Sequence, residues 1–320
     1  MWIDRPPLAT VFRRRENDGE PVNDRRLRAR LAGGEIVRIA RGVYVERAEW
    51  DRLTPMARHA QRVWEAGARA ASPFVVSHWG AAALHGIDLL GRWPVTIDVS
   101  IDTASGGRSS GTFRRHARPL SEIETNAWER HCVTTPLQTA VDILASSRFL
   151  EGVVAADQAL WNRRPGGALV ECDVLRDRAH SVTGRGSARA PRAADFATSL
   201  ADSVRESQSR VLIALLGFPE PQLQARFTLA DGREAFTDFF WPDHRHIGEF
   251  DGAGKYRDPG LLKGRTPEEV LLAEKDREDE LRRQVTAFSR WRLPALRSPR
   301  MLYDILQGAG LPTSRPRPGR

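Results

Sequence analysis

The sequence predicts an α/β protein of the mixed α+β class, and three observations lead there. Segments with apolar residues at helical spacing are interspersed with short segments of apolar–polar alternation. The last third runs as helix, three strands, helix, strand. The composition breaks at residues 182–195, "VTGRGSARAPRAAD", which are rich in Gly, Pro, Arg and small residues and lack apolar periodicity. At 320 residues the chain is long enough for two cores.

The first block, residues 1–60, opens its periodic part with "VNDRRLRARLAGG", a short helix with Leu27 and Leu31 on one face and a glycine stop. "EIVRIARGVYVE" follows as two strands about an "ARG" turn. A basic helix followed by a hairpin forms the end of a winged helix-turn-helix, in which the helix enters the major groove and the wing touches backbone. Arg25, Arg26, Arg28 and Arg30 on the helix, with Arg38 and Arg41 on the hairpin, are then the candidate DNA contacts. A small α/β cap with solvated arginines is the competing reading.

The second block, residues 61–183, mixes the two element types as an α/β middle domain. "TPMARHAQRVWEAGARA" is amphipathic, and "SHWGAAALHG" is a helix capped by Ser77 and closed by Gly86. "VTIDVSI" alternates as a strand; "TPLQTAVDILAS" and "FLEGVVAADQALW" keep helical spacing. His78 and His85 lie seven apart with no Cys or carboxylate at ligand spacing, and read as core or surface histidines. Residues 184–196 read as a linker, 197–310 as the third domain and 311–320 as a disordered tail. Within the third domain the long helix "TPEEVLLAEKDREDELRRQV" has Thr266 as its cap, Pro267 at its first position and acids in its first turn.

The net charge of +8 points to a polyanionic partner, nucleic acid ahead of a membrane surface. Two cysteines, Cys132 and Cys172, are too few for a disulfide framework or a cysteine zinc site. The first residues lack the apolar core of a signal peptide, and no apolar run spans a bilayer. A cytoplasmic protein with no membrane role and no small-molecule cofactor is expected. Basic charge is almost all arginine; the three lysines, Lys255, Lys263 and Lys275, all follow one acidic stretch.

That stretch is "FTDFFWPDHRHIGEFDGAGKY". With "PDHR" as a hairpin turn, Trp241 faces His246, Phe240 faces Ile247, and Asp238 falls opposite Glu249. Asp251 points to the same face two residues on. Like charges opposed at about 5 Å repel by roughly 3 kcal/mol at an effective dielectric near 20. A protonated carboxyl relieves this, and so does a bound cation; oxygen ligands suit Mg²⁺ or Mn²⁺. Asp238, Glu249 and Asp251 are therefore candidate metal ligands for phosphodiester hydrolysis. The alternative is ordinary solubilising charge on a hairpin. The run "DGAGK" lets backbone approach a ligand and lets Lys255 fold back.

Asp, a turn and Glu-x-Asp, between a helix bearing Glu206 and a second helix, resemble the PD-(D/E)xK restriction-endonuclease-like superfamily. More narrowly, "DFFWPDHRHIGEFDGAGKY" with "LLAEKDREDELR" resembles the very-short-patch-repair-like nuclease domains of the DUF559 type. "GEIVRIARGVYV", "VSHWGAAALHGIDLL", "RRHARPL" and "VTTPLQTAVDILA" resemble the AbiEi-type antitoxin region, a winged helix with its following domain. The resemblance covers most of residues 25–297. It implies a carboxy-terminal restriction-endonuclease-like three-layer α/β domain, metal binding by Asp238 and Glu249, and a helix-borne contribution from Glu206. The superfamily's lysine falls at residue 251, which is Asp here. Lys255 or Lys275 supplies that charge, or Asp251 adds a ligand, or catalysis is lost. Asp243, at the tip of the turn, is a decoy.

Three functions follow as expectations. The first is a Mg²⁺-dependent DNA endonuclease with an amino-terminal DNA-binding region. The second is a non-catalytic, DNA-binding antitoxin or regulator with a degenerate nuclease domain, whose further partner is a cognate toxin. The third is an interaction module in which the acids are structural.

Overall fold

The structure, a computed structural model, describes residues 4, 9–13, 24–102, 111–252 and 266–319. Among them are twelve α-helices and three sheets, a mixed α+β architecture as the periodicities predict. No helix among the described residues is long and apolar enough to cross a membrane. The chain forms two compact units, residues 1–160 with 166–197 and residues 161–165 with 198–320.

In the first unit, β1 (Val11–Arg13) precedes α1 (Asp24–Ala32), and β2 (Ile36–Ala40) and β3 (Val43–Glu46) form a hairpin. The strands order β1-β3-β2, all antiparallel, over a small core of Ile39, Val43, Val45 and Trp50. Gly42, at φ 71°, makes the left-handed turn that the "ARG" tripeptide predicts. After α2 (Arg47–Arg52) comes α3 (Pro55–Arg69), capped by Thr54, whose hydroxyl accepts from the Ala57 N–H. This helix is continuous across residue 60, so the boundary expected there is not a break in the fold.

The rest of the unit contains β4 (Val75–Val76), α4 (His78–His85), β5 (Ile97–Ile101), β6 (Phe113–Ala117), β7 (Thr125–Trp128) and β8 (His131–Thr134), with strand order β6-β5-β4-β8-β7. The helices α5 (Pro136–Ser146), α6 (Phe149–Leu160), α7 (Cys172–His180) and α8 (Arg189–Phe196) complete it. The last of these corrects the expected linker at 184–196. Ala190, Ala193 and Ala194 are buried, and the small side chains bring α8 close enough for the Ala193 Cβ to approach Gly152 of α6. Small residues here serve close helix packing, not chain freedom.

The second unit follows the order read from the sequence: α9 (Val204–Leu215), β9 (Gln222–Thr228), β10 (Glu234–Trp241), β11 (His246–Phe250), α10 (Pro267–Gln284) and β12 (Ala287–Trp291). Two helices beyond that order, α11 (Leu293–Arg297) and α12 (Pro299–Gly308), end the domain. The sheet runs β12-β11-β10-β9, with β12 parallel to β11 and the other pairs antiparallel. One face packs Phe239, Trp241 and Trp291 against Leu212 and Ile213 of α9 and Leu302 and Leu306 of α12. The other packs Ile247, Phe240 and Phe288 against Leu281 of α10. The result is three layers, helix on sheet on helix.

Residues 311–319 are an ordered part of this unit, which corrects the expected disordered tail. Leu311 is buried in the core, the Thr313 hydroxyl donates to the Leu216 carbonyl at 2.7 Å, and the Tyr303 hydroxyl donates to the Arg315 carbonyl at 3.1 Å. The polar, proline-rich composition hid one buried leucine and a set of backbone anchors.

Candidate functional site

The β10–β11 hairpin has the register expected: Trp241 pairs with His246, Phe240 with Ile247 and Phe239 with Gly248, so Asp238 falls level with Glu249. The turn is a 3-10 segment, Pro242–His244, closed by Arg245 at φ 45°, and it leaves Asp243 exposed at the tip. Asp238 and Glu249 share the sheet face that α10 covers.

Arginines meet the acids there. Glu249, 7% exposed, accepts from Arg277 Nη2 of α10 at 2.8 Å through Oε1, and from Arg290 Nη2 of β12 at 2.9 Å through Oε2. Arg277 also reaches Glu274 at 3.1 Å and the Phe236 carbonyl at 2.8 Å, while Arg290 reaches Glu278 at 2.7 Å. Burial by itself lowers the pKa of both guanidinium groups, but the surrounding carboxylates, Glu249 foremost, outweigh it and hold both above the ordinary value. Asp238 Oδ2 accepts the Phe250 N–H at 2.8 Å. Asp251 accepts from Arg292 Nε and Nη2 at 2.7 and 2.6 Å.

Strand pairing explains the pattern. β11 and β12 run parallel with Glu249 beside Arg290 and Phe250 beside Trp291. "EFD" therefore lies against "RWR", a ladder of opposite charges between neighbouring strands. The repulsion that a cation or a proton was expected to relieve is relieved by these side chains.

Glu206 does not join the group. Ser203 caps α9 by accepting the Glu206 N–H at 3.2 Å; in return Glu206 Oε1 accepts the Ser203 hydroxyl at 2.9 Å and Oε2 accepts the Asp202 N–H at 3.0 Å and Gln224 Nε2 at 3.1 Å. This is a capping arrangement. Lys255 and Lys263 lie outside the described residues, and Lys275 is exposed on α10. A divalent cation requires carboxylate oxygens facing one point. Both Glu249 oxygens face guanidinium groups instead, and among the described residues no three His, Cys, Asp or Glu converge on a metal position. In this arrangement Asp238, Glu249 and Asp251 do not fit Mg²⁺ or Mn²⁺.

In the first unit, Arg25, Arg26 and Arg28 are exposed along α1, and Arg38 and Arg41 are exposed on the hairpin that follows it. Arg30 departs from this set. It bonds Glu46 through Nη2 at 2.7 and 2.9 Å and Glu35 through Nε at 3.1 Å, and it lies over the Phe12 ring. Those carboxylates raise its pKa, and the side chain fastens α1 to the hairpin.

A second constellation went unread in the sequence. Asp98, wholly buried, bonds Arg114 through both oxygens and His116 Nε2 at 2.6 Å. Burial raises its pKa, but those hydrogen bonds prevail and leave it below the ordinary value. The His116 ring stacks on His78 with centroids 3.6 Å apart. Asp142, buried on α5, bonds Arg118 at 2.6 and 2.8 Å and Gln138 at 2.7 Å; its burial still wins and raises its pKa. His78 thus lies beside a carboxylate in space, with Nδ1 3.9 Å from Asp142, despite having none nearby in sequence. His85 is a satisfied core histidine, with Nε2 2.7 Å from the Thr134 carbonyl. The available signal was the alternation in "RRHAR", which places Arg114, His116 and Arg118 on one side of an edge strand.

No family model matches the chain. Two curated proteins of Mycobacterium tuberculosis are similar to it: "Uncharacterized protein MT2308" of strain CDC 1551 / Oshkosh and "Uncharacterized protein Rv2248" of strain H37Rv. Each is 26% identical over 247 residues, covering 75% of this chain and 83% of the relative.

Proposed function

We propose that this protein is a non-catalytic, DNA-binding regulator whose carboxy-terminal unit keeps a nuclease-like layout without a metal centre. The observation that carries the reading is α1 with exposed Arg25, Arg26 and Arg28, followed by a hairpin with exposed Arg38 and Arg41. A cationic helix and an adjoining cationic hairpin offer guanidinium groups to duplex phosphates, and helix side chains can reach base edges in the major groove. The net charge of +8 supports the same partner. A DNA-bound role and two free thiols, Cys132 and Cys172, favour the cytoplasm.

Fluorescence anisotropy on a labelled random-sequence duplex tests this as a function of salt. The Arg25→Ala/Arg28→Ala/Arg41→Ala variant should bind more weakly and lower the log–log salt slope by about 2 to 3, close to one for each phosphate that no longer has its arginine. Equal slopes for variant and wild type overturn the reading.

A metal-dependent endonuclease remains the second reading because Asp238 stands level with Glu249 across the hairpin. It requires Arg277 and Arg290 to leave Glu249. Plasmid nicking in Mg²⁺ by the wild type, lost in an Asp238→Ala/Glu249→Ala variant, would establish it in place of the first.

A further inference from the structure

The first unit contains a cavity of about 690 Å³ between α4, β6, α5, α7 and residues 181–185. Its size falls in the range of small-molecule sites. Its lining is strongly biased in charge: Arg114, Arg115, Arg118, Arg178 and Arg185 face it, against the carboxylates Glu122 and Asp142. Arg114 and Arg118 are already fixed in bidentate pairs with Asp98 and Asp142, so their guanidinium planes are held in place. Arg178 differs. It donates to the Ser181 hydroxyl at 3.1 Å and to Gln138 Oε1 at 3.3 Å, both neutral acceptors, and among the described residues no carboxylate is paired with it. Arg185 adds an exposed cation at the rim. Trp79, half-buried in the wall, offers a flat apolar surface beside the cations.

We propose that this cavity binds a phosphomonoester of about mononucleotide size, with Arg178 and Arg185 holding the phosphate and Trp79 contacting the organic part. A dianion answers the excess of positive charge, and the planar donors of arginine match phosphate oxygens. The stacked His78–His116 pair forms part of the floor, held by Asp98 through His116.

The test is isothermal calorimetry on the full chain with inorganic phosphate, adenosine 5′-monophosphate and adenosine. Both phosphates should bind, the nucleotide more tightly, and adenosine should not. Arg178→Gln/Arg185→Gln should weaken nucleotide binding about tenfold or more, the loss expected when charge-assisted bonds worth about 1.4 kcal/mol disappear. Arg185→Gln alone, at an exposed position, should weaken it less and provides the readout if the double variant fails to fold. Binding of neither phosphate, or binding indifferent to Arg185→Gln and the double variant, overturns the proposal. So does a duplex oligonucleotide that binds through these arginines while the nucleotide does not, because the cavity then belongs to a DNA surface. The Arg25→Ala/Arg28→Ala/Arg41→Ala variant should bind the nucleotide as the wild type does, which separates this outcome from that of the DNA-binding reading.

Discussion

Arg290 stands beside Glu249 in the parallel β11–β12 pairing, and its Nη2 lies 2.9 Å from Glu249 Oε2. With Arg277 on the other oxygen, Glu249 joins β11, β12 and α10 on one sheet face. A carboxylate so placed is a structural tie. Removing its charge takes from two half-buried guanidinium groups the carboxylate they share, and leaves Arg277 with Glu274 and the Phe236 carbonyl and Arg290 with Glu278.

Glu249→Gln should therefore destabilise the second unit by about 1–3 kcal/mol, the loss of hydrogen bonds to a charged group that is nearly buried. Asp251→Asn is the comparison. Its partner Arg292 is 70% exposed, so the loss should stay below about 1 kcal/mol. Urea denaturation of both variants measures the difference. A Glu249→Gln midpoint equal to that of wild type would show that the network does not support the fold.

Gly248 gives a sharper steric prediction. A Cβ built on it would lie 2.8 Å from Trp291 Cη2 and 2.9 Å from Trp241 Cζ3, and both indoles are about 1% exposed. Neither ring has room to turn away, because Trp291 Nε1 donates to the Ser209 hydroxyl and Trp241 Nε1 to the Pro219 carbonyl. Gly248→Ala should cost about 1–3 kcal/mol through overpacking, seen as a lower denaturation midpoint. An unchanged midpoint would mean that the indoles shift without penalty.

Leu311→Ala tests the ordered carboxy-terminal segment. Leu311 is 2% exposed among Leu216, Phe218 and Leu306. Its truncation should cost about 2–5 kcal/mol, where the same change in a disordered tail would cost nothing. A wild-type midpoint in urea would detach the segment from the core.

The layout of the second unit was legible because its periods are clean. "EAFTDFFW" and "HIGEF" alternate, "TPEEV" announces a capped helix, and a tight turn fixes the hairpin register. What the acids do was not legible, because that depends on which strand neighbours β11 on its far side. No local signal placed "SRWRL" parallel to "GEFD", and a parallel pair joined through a helix is a long-range choice. Asp98 and Asp142 were hidden for the same reason: their arginines come from β6 and the residue after it, on other parts of the chain. In α8 and residues 311–319 the sequence misled through composition, since alanine, proline and arginine mark loops only where nothing packs on them.

His59 makes the first unit sensitive to acid. It is 1% exposed on α3, its ring lies 5.1 Å from that of Trp93, and among the described residues neither ring nitrogen makes a well-formed hydrogen bond, the Pro94 backbone giving only a weak contact. Burial pushes its pKa from 6.5 down to about 4, against the partial opposition of Asp98. Between those values the unfolded chain binds a proton that the folded chain refuses, so stability rises with pH across that window. The contribution is complete above about pH 6.5 and is lost as pH falls toward 4. At pH 5 the loss from this one histidine should be about 2 kcal/mol relative to pH 7.5. His59→Phe keeps an aromatic ring in the site and removes the titration, so its acid loss should be smaller than that of wild type by about the same amount. Urea denaturation at the two pH values decides it. Parallel losses in variant and wild type would mean that His59 is protonated within the fold, and that its surroundings accept the charge.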